Sequence, residues 1–335
     1  MTRKPLFIVI LVVGIFLFAG FLFLFVGVAP RAESITWGVN FSVKAAEYLE
    51  LDWKETYLAL LQDLEAKNIK VAAHWDFLEP ADQEFFFEDL DWQMNRAQEY
   101  GAKVLLAIGI KTPRWPECHI PSWAGDLSKE KLQQKVLDML SAVVSRYKDH
   151  PALSGWQVEN EPLFPFGKCP WRDLAFLQKE VTLVRSLDPG HDVFTSDSGE
   201  LSLWMNMARL GDKVAVTMYQ KAWMAPGVYF DYPFPPVFYY RKSQLVERIF
   251  GKEVIVGELQ AEPWTPRGVM QDTLEEQAKS MDAARFKSNI EFAKQTGLGA
   301  FYLWGGEWWY WLKTKHNDFR IWNEAKNLFQ NEDNI

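Results

Sequence analysis

Val104-Leu105-Leu106-Ala107-Ile108 and, far downstream, Val254-Ile255-Val256 are runs without polar alternation. A strand with one face in water alternates apolar and polar residues, whereas a strand covered by helices on both faces stays apolar throughout. These two runs therefore predict a parallel sheet buried beneath helices. Working outward from them, strand candidates fall at residues 36–40, 69–74, 103–110, 154–159, 192–196, 214–218, 253–257 and 299–304. Between them lie stretches with apolar spacings of three and four, for example 53–66, 132–147, 174–187 and 274–296, and a last helix is predicted over 319–328. Eight β-then-α units in one stretch predict an α/β fold of the closed (β/α)8 type, the TIM barrel. The alternative is a doubly wound open sheet. It would want a glycine-rich turn after its first strand, and Val39-Asn40-Phe41-Ser42 has no glycine. The proline-rich stretch 226–236 reads as a long loop after the sixth strand.

Upstream of the barrel, residues 6–28 carry no charge, and Arg3 and Lys4 precede them. A helix over this run would cover the ~30 Å of a bilayer's hydrocarbon core. The basic pair would hold the N-terminus in the cytoplasm and send the remainder out. A cleaved signal peptide is the competing reading. Its apolar core would be unusually long, and Gly27-Val28-Ala29-Pro30 places a proline where cleavage is wanted. The expected organisation is one N-terminal transmembrane helix acting as a signal anchor in 1–31, followed by a (β/α)8 catalytic domain in 32–335. The chain would be membrane-anchored with that domain extracytoplasmic. In such an oxidising compartment the two cysteines, Cys118 and Cys169, can bridge.

Hydrophobic residues at 48% and charged residues at 24% suit a packed domain. A net charge of −8 without a basic run excludes nucleic acid as a natural partner. The five histidines form neither H-x-H nor H-E-x-x-H, and no C-x-x-C occurs, so no metal site is expected. The 16 tryptophans are numerous for this length. Trp75, Trp115, Trp123, Trp171, Trp223, Trp264, Trp308, Trp309 and Trp311 follow strand ends, which predicts an aromatic-walled cleft for a carbohydrate.

A barrel's chemistry sits at the carboxyl ends of its strands. There the fourth strand delivers Trp156-Gln157-Val158-Glu159-Asn160-Glu161-Pro162, and the seventh delivers Gly257-Glu258-Leu259-Gln260. Two carboxylates across one cleft can cleave a glycosidic bond, one as acid and the other as nucleophile. The acid needs a raised pKa, which burial and its partner's charge would supply. Glu262 is a rival nucleophile placed further into the loop, and Glu159 reads as structural.

Asn160-Glu161-Pro162 after strand four, with Glu258 on strand seven, resembles the clan A (β/α)8-barrel glycoside hydrolases, which include the cellulase-like family 5 and its β-galactosidase and xylosidase relatives. Tyr147-Lys148-Asp149-His150-Pro151 and Trp75-Asp76-Phe77-Leu78-Glu79-Pro80 are also similar to that clan. The resemblance implies Glu161 as acid/base, Glu258 as nucleophile and Asn160 on the sugar 2-hydroxyl. It further implies a Tyr219 hydroxyl donating to the nucleophile and Trp304 as the floor of the sugar subsite. Where many members have an arginine on strand two, this chain has Lys70, which keeps the charge and loses the bidentate fork. His74 and Trp75, at the end of that strand, are further candidates for contact with substrate. The expectation is a retaining enzyme acting on a β-linked extracellular oligo- or polysaccharide, with no cofactor. A non-catalytic cell-surface carbohydrate-binding barrel is the alternative, and it leaves both glutamates without a task.

Overall fold

The structure, a computed structural model, describes residues 3–330, with side chains described from Leu11 onward. Eight parallel strands close into a barrel: β1 (Thr36–Phe41), β2 (Asn68–Ala72), β3 (Lys103–Ile108), β4 (Leu153–Val158), β5 (Val193–Asp197), β6 (Lys213–Met218), β7 (Glu253–Gln260) and β8 (Ala300–Trp304). Each strand pairs with its neighbour in sequence, and β1 closes onto β8. All eight expected strands are present. Asp52, Ser128, Asp173 and Asp282 cap the helices that start at Trp53, Lys129, Leu174 and Ala283, each accepting from backbone N–H groups in the first turn.

Two departures concern local chemistry. The single helix expected over 274–296 is two, Leu274–Ala278 and Ala283–Lys294, because Asp282 takes extended backbone and starts a new cap. The loop expected over 226–236 begins inside an antiparallel hairpin, Lys221–Ala225 with Val228–Asp231. Its strands are largely exposed, so they lack the apolar pattern that marks the barrel strands.

The barrel interior is layered. Leu105, Phe194, Ala215, Ile255 and Tyr302 form one buried apolar cluster contributed by five strands. Register places Asn40 beside Lys70 and Lys70 beside Leu105, so these polar residues share the inward face with that cluster. The much larger second cluster fills the space between strands and helices.

The N-terminal helix spans Arg3–Phe25, and its end rests on the helix Pro236–Phe250 through Phe25 against Phe238, ring centroids 5.3 Å apart. Among the described residues no helix is long and apolar enough to cross a membrane. The expected span drew on residues 6–10, whose side chains lie outside the described set.

Candidate active site

The mouth of the barrel is shaped by irregular backbone at the ends of β4 and β7. On β7, Val256 pairs with Val216 and Glu258 pairs with Thr217, so Gly257 is an extra residue, a β-bulge. The same irregularity recurs against β8. The bulge leaves the Gly257 carbonyl for side chains, and it accepts from Asn40 Nδ2 at 3.1 Å and from Lys70 Nζ at 3.4 Å. It also sets Glu258 beside Thr217, within β7 rather than after it.

After β4 the chain takes left-handed backbone at Glu159 (φ 60°) and Glu161 (φ 42°). Such a conformation costs about 1–3 kcal/mol per non-glycine residue and persists only where the surroundings fix it. Here they do. Glu161 N–H donates to Ser196 Oγ at 2.7 Å, and Asn160 N–H donates to the Lys111 carbonyl at 2.6 Å. The Glu159 carboxylate accepts from the N–H groups of Ile110 (2.8 Å) and Lys111 (2.6 Å), a structural tie between two loops. Gly109 is obligatory there: its φ is +125°, and a Cβ would sit 2.4 Å from Glu159 Oε1.

Both candidate carboxylates are buried, Glu161 at 8% exposure and Glu258 at 5%. Glu258 is held by two donors, Lys70 Nζ to Oε1 at 3.3 Å and Tyr219 Oη to Oε2 at 3.1 Å. Burial lowers the Lys70 pKa, opposed chiefly by the charge of Glu258. Glu161 has its Oε1 3.4 Å from Thr217 Oγ1, and Thr217 is the register partner of Glu258 one strand away, about 4.8 Å. The two carboxylates are thus neighbours across the end of β6. Burial first, and then the charge of Glu258, push the Glu161 pKa well above the ordinary carboxyl range, with Lys111 opposing.

Asn160, beside Glu161, accepts from Gln157 at 3.1 Å and donates to Glu117 Oε2 at 3.3 Å. Cys118 and Cys169 are joined by a disulfide, which ties the loop after β3 to the loop after β4. Three sequence expectations need correction. His74 has both ring nitrogens engaged, by Ser42 Oγ and Thr112 Oγ1 at 2.9 Å each, so neither is free for substrate or nucleophile. Burial holds it neutral, its pKa well below the usual value. Trp75 is fully enclosed, donates its N–H to Glu79 at 2.7 Å and packs edge-on against Trp123. Trp308, Trp309 and Trp311 lie in the helix Gly306–His316 and are buried in its packing, not in a cleft wall.

Trp304 lies at the end of β8 with one face covered by the Arg114 guanidinium, 3.9 Å from the ring centroid. Arg114 pairs with Glu262 and, at 2.9 Å, with Glu307, and Glu262 also accepts from Trp304 Nε1 at 2.8 Å. Glu262 is therefore committed to this ion pair. The aromatic residues around the mouth are Trp264, packed against Tyr219 and Phe166, and the exposed Trp115, also against Phe166.

Sequence reasoning missed Arg114, Glu117, Thr217 and Glu200. Glu117 is buried at the mouth, and burial followed by the charge of Glu258 raises its pKa to about 7, with Lys111 opposing. Glu200 accepts from Tyr219 N–H (2.7 Å) and Tyr239 Oη (2.9 Å). A search for charged residues after every strand, rather than after two, would have found Arg114, Glu117 and Glu200. Among the described residues no cluster fit for a metal occurs.

With this geometry in view, comparisons with known proteins can be placed on it. Residues 48–179 match the model of glycoside hydrolase family 42, described as beta-galactosidase. That segment carries Lys70 and Glu161 and stops short of Glu258. Mannan endo-1,4-beta-mannosidase F of Aspergillus clavatus is 28% identical over 123 residues, 33% of this chain and 26% of that protein. The chain thus matches only about a quarter of the length of such curated relatives. Among solved structures, a β-galactosidase from the haloarchaeon Halorubrum lacusprofundi aligns with a TM-score of 0.54 at 16% identity, over 81% of this chain and 52% of the other. Xylanase 10B from Thermotoga maritima aligns with a TM-score of 0.57 at 15% identity, over 81% and 83%. The structural likenesses show a shared fold.

Proposed function

We propose that this chain, a relative of the clan A (β/α)8-barrel glycoside hydrolases, is a retaining glycosidase for a β-linked carbohydrate, with Glu161 as acid/base and Glu258 as nucleophile. The observation that carries the reading is the unequal treatment of two adjacent buried carboxylates. Glu161 is buried and faces the negative charge of Glu258, so it holds a proton. Glu258 accepts from the Lys70 ammonium and the Tyr219 phenol, which hold its carboxylate in place at the mouth of the barrel.

The steps follow from that asymmetry. Protonated Glu161 gives its proton to the glycosidic oxygen while Glu258 attacks the anomeric carbon and forms a glycosyl ester. Ester formation removes the negative charge of Glu258, a principal cause of the raised Glu161 pKa. Glu161 then becomes the stronger acid, stays ionised and takes a proton from the incoming water. The same electrostatic coupling therefore serves both half-reactions.

The sugar-binding part given to Asn160 rests on its position beside Glu161. The β-linked substrate is supported by the family match and by the mannosidase relatives. We further propose the division into an anchor, 1–31, and a catalytic domain, 32–335, that works outside the cytoplasm. The charge-free run 6–28, the exposed apolar side chains along it from Leu11, and a disulfide in the domain support this placement. Resistance of the full chain to extraction from membranes by alkaline carbonate tests the anchor, and release into the supernatant contradicts it.

Turnover of a panel of aryl β-glycosides tests the chemistry. Glu258→Gln should abolish it, and Glu161→Ala should retain hydrolysis only of glycosides whose leaving group needs no proton. Full activity of Glu258→Gln contradicts the assignment.

A further inference from the structure

Thr217, near the end of β6, stands between two acids. Its Oγ1 lies 3.4 Å from Glu161 Oε1 and 3.1 Å from Glu200 Oε2, and it accepts the Gly199 N–H at 3.0 Å. The loop after β5 is pressed against β6 here, since a Cβ on Gly199 would sit 1.7 Å from the Thr217 carbonyl oxygen. Thr217 and Glu200 are both buried. A hydroxyl carries one proton, so Thr217 can donate to one of these carboxyls and then shows the other a lone pair.

The surroundings of the two acids differ. Glu200 Oε1 accepts the Tyr219 N–H at 2.7 Å and Tyr239 Oη at 2.9 Å. Ser198 Oγ accepts the Leu201 N–H at 3.2 Å, which leaves its own proton for Glu200 Oε2, at 3.4 Å. Burial raises the Glu200 pKa, and Tyr219, Tyr239 and Thr217 oppose the rise by donating to it. Lys242, in the helix Pro236–Phe250, donates to the carbonyls of Gly199 and Ser202, at 2.7 Å each, and so fixes the loop that carries Glu200. Burial lowers the Lys242 pKa to about 7, with the charge of Glu200 opposing, and Tyr232 also faces Glu200. Among the described residues no donor other than Thr217 reaches the Glu161 carboxyl. Glu258, Lys111, Glu117 and Glu200 stand around it, and the Lys111 ammonium is spent on the carbonyls of Glu161 and Phe164, at 2.9 and 3.4 Å.

We propose that Glu200 is a positioning residue for the acid/base: it takes the Thr217 hydroxyl proton, so that Thr217 shows Glu161 a lone pair and withholds the one donor that would help Glu161 ionise. The inference rests on the glycosidase reading above and adds to it the group that keeps the proton on Glu161. Exchange of Glu200 for glutamine reverses the pattern. The Tyr219 N–H and Tyr239 Oη hold the amide oxygen in the place of Oε1, so the amide nitrogen takes the place of Oε2 and donates to Thr217. With its lone pairs held by that amide and by the Gly199 N–H, Thr217 turns its proton to Glu161.

The test is a pH titration of the full chain carrying glutamate labelled with carbon-13 at Cδ, the Glu161 signal being assigned by its loss in Glu161→Gln. In Glu200→Gln the Glu161 midpoint should fall by about one pH unit or more, the effect of a hydrogen bond gained by a charged group. The alkaline limb of kcat/KM for an aryl β-glycoside should move with it. Loss of the Glu200 charge alone also favours ionised Glu161, so the exchange is repeated in Thr217→Val, which keeps the shape and lacks the hydroxyl. There its effect should shrink by at least half, because only partners in contact couple. An unchanged or raised midpoint in Glu200→Gln, or an equal fall with and without the Thr217 hydroxyl, overturns the proposal and leaves the glycosidase reading intact. Absence of turnover of any glycoside by the wild type overturns that reading, and the role of Glu200 with it. Should Thr217→Val fail to fold, Glu200→Gln decides alone, and a fall smaller than about one pH unit overturns the proposal.

Discussion

Replacing Glu117 by glutamine isolates the cost of keeping a third carboxyl at the mouth of the barrel. Burial, reinforced by the charge of Glu258, raises the Glu117 pKa from 4.5 to about 7 in the folded chain. Between those two values the folded chain keeps a proton that the unfolded chain has released. Unfolding free energy must therefore fall as pH rises through that window, with the stabilisation complete below about 4.5 and lost above about 7. At 1.36 kcal/mol per pH unit the loss is about 3 kcal/mol. Glutamine has no such proton to lose, and its amide oxygen can still accept from Asn160, which donates to Glu117 at 3.3 Å. Urea unfolding of both proteins, disulfide intact, from about pH 4 to about pH 8 should show the variant gaining about 3 kcal/mol on the wild type. A stability difference that does not change with pH would refute the reasoning. The variant carries a second consequence. Glu117 is one of the charges that raise the Glu161 pKa, so the alkaline limb of kcat/KM should move to lower pH.

Two further substitutions bear on the site and its frame. Tyr219→Phe removes the phenol that donates to Glu258 at 3.1 Å, a bond to a charged group worth about 1.5–3 kcal/mol, so kcat should fall about 10- to 100-fold in steady-state assays. Replacing Cys118 and Cys169 with serine opens a loop whose ends are 51 residues apart. Loop-closure entropy then predicts a loss of about 4 kcal/mol, measured as a shift in the unfolding midpoint.

The strands were readable because each barrel strand is covered on both faces and so declares itself as an apolar run. The hairpin was not, since Lys221–Ala225 and Val228–Asp231 lie largely in solvent and carry no such pattern. Of the site, Glu161 and Glu258 could be proposed from strand ends, because register in a closed barrel converts position along a strand into height at the mouth, whereas Lys70, in the middle of its strand, and Tyr219 came only from the resemblance. What could not be read is what else competes for each side chain. His74 stands at the right height and spends both nitrogens on Ser42 and Thr112. Trp308 and Trp309 follow β8 closely, but Gly305, with φ +140° and Ala261 against its absent Cβ, turns the chain into a helix that buries them. The Gly257 bulge is equally silent in sequence, although it sets the register of Glu258.

In the proposed mechanism the Glu258 carboxylate bonds the anomeric carbon and carries the covalent intermediate. An activated 2-fluoro β-glycoside, whose leaving group departs readily and whose ester hydrolyses slowly, should raise the intact mass of the wild-type protein by one fluorosugar, and peptide mapping should place the label on Glu258. A label on Glu262 or on another residue, or an unchanged mass in a protein that hydrolyses the parent glycoside, would contradict it.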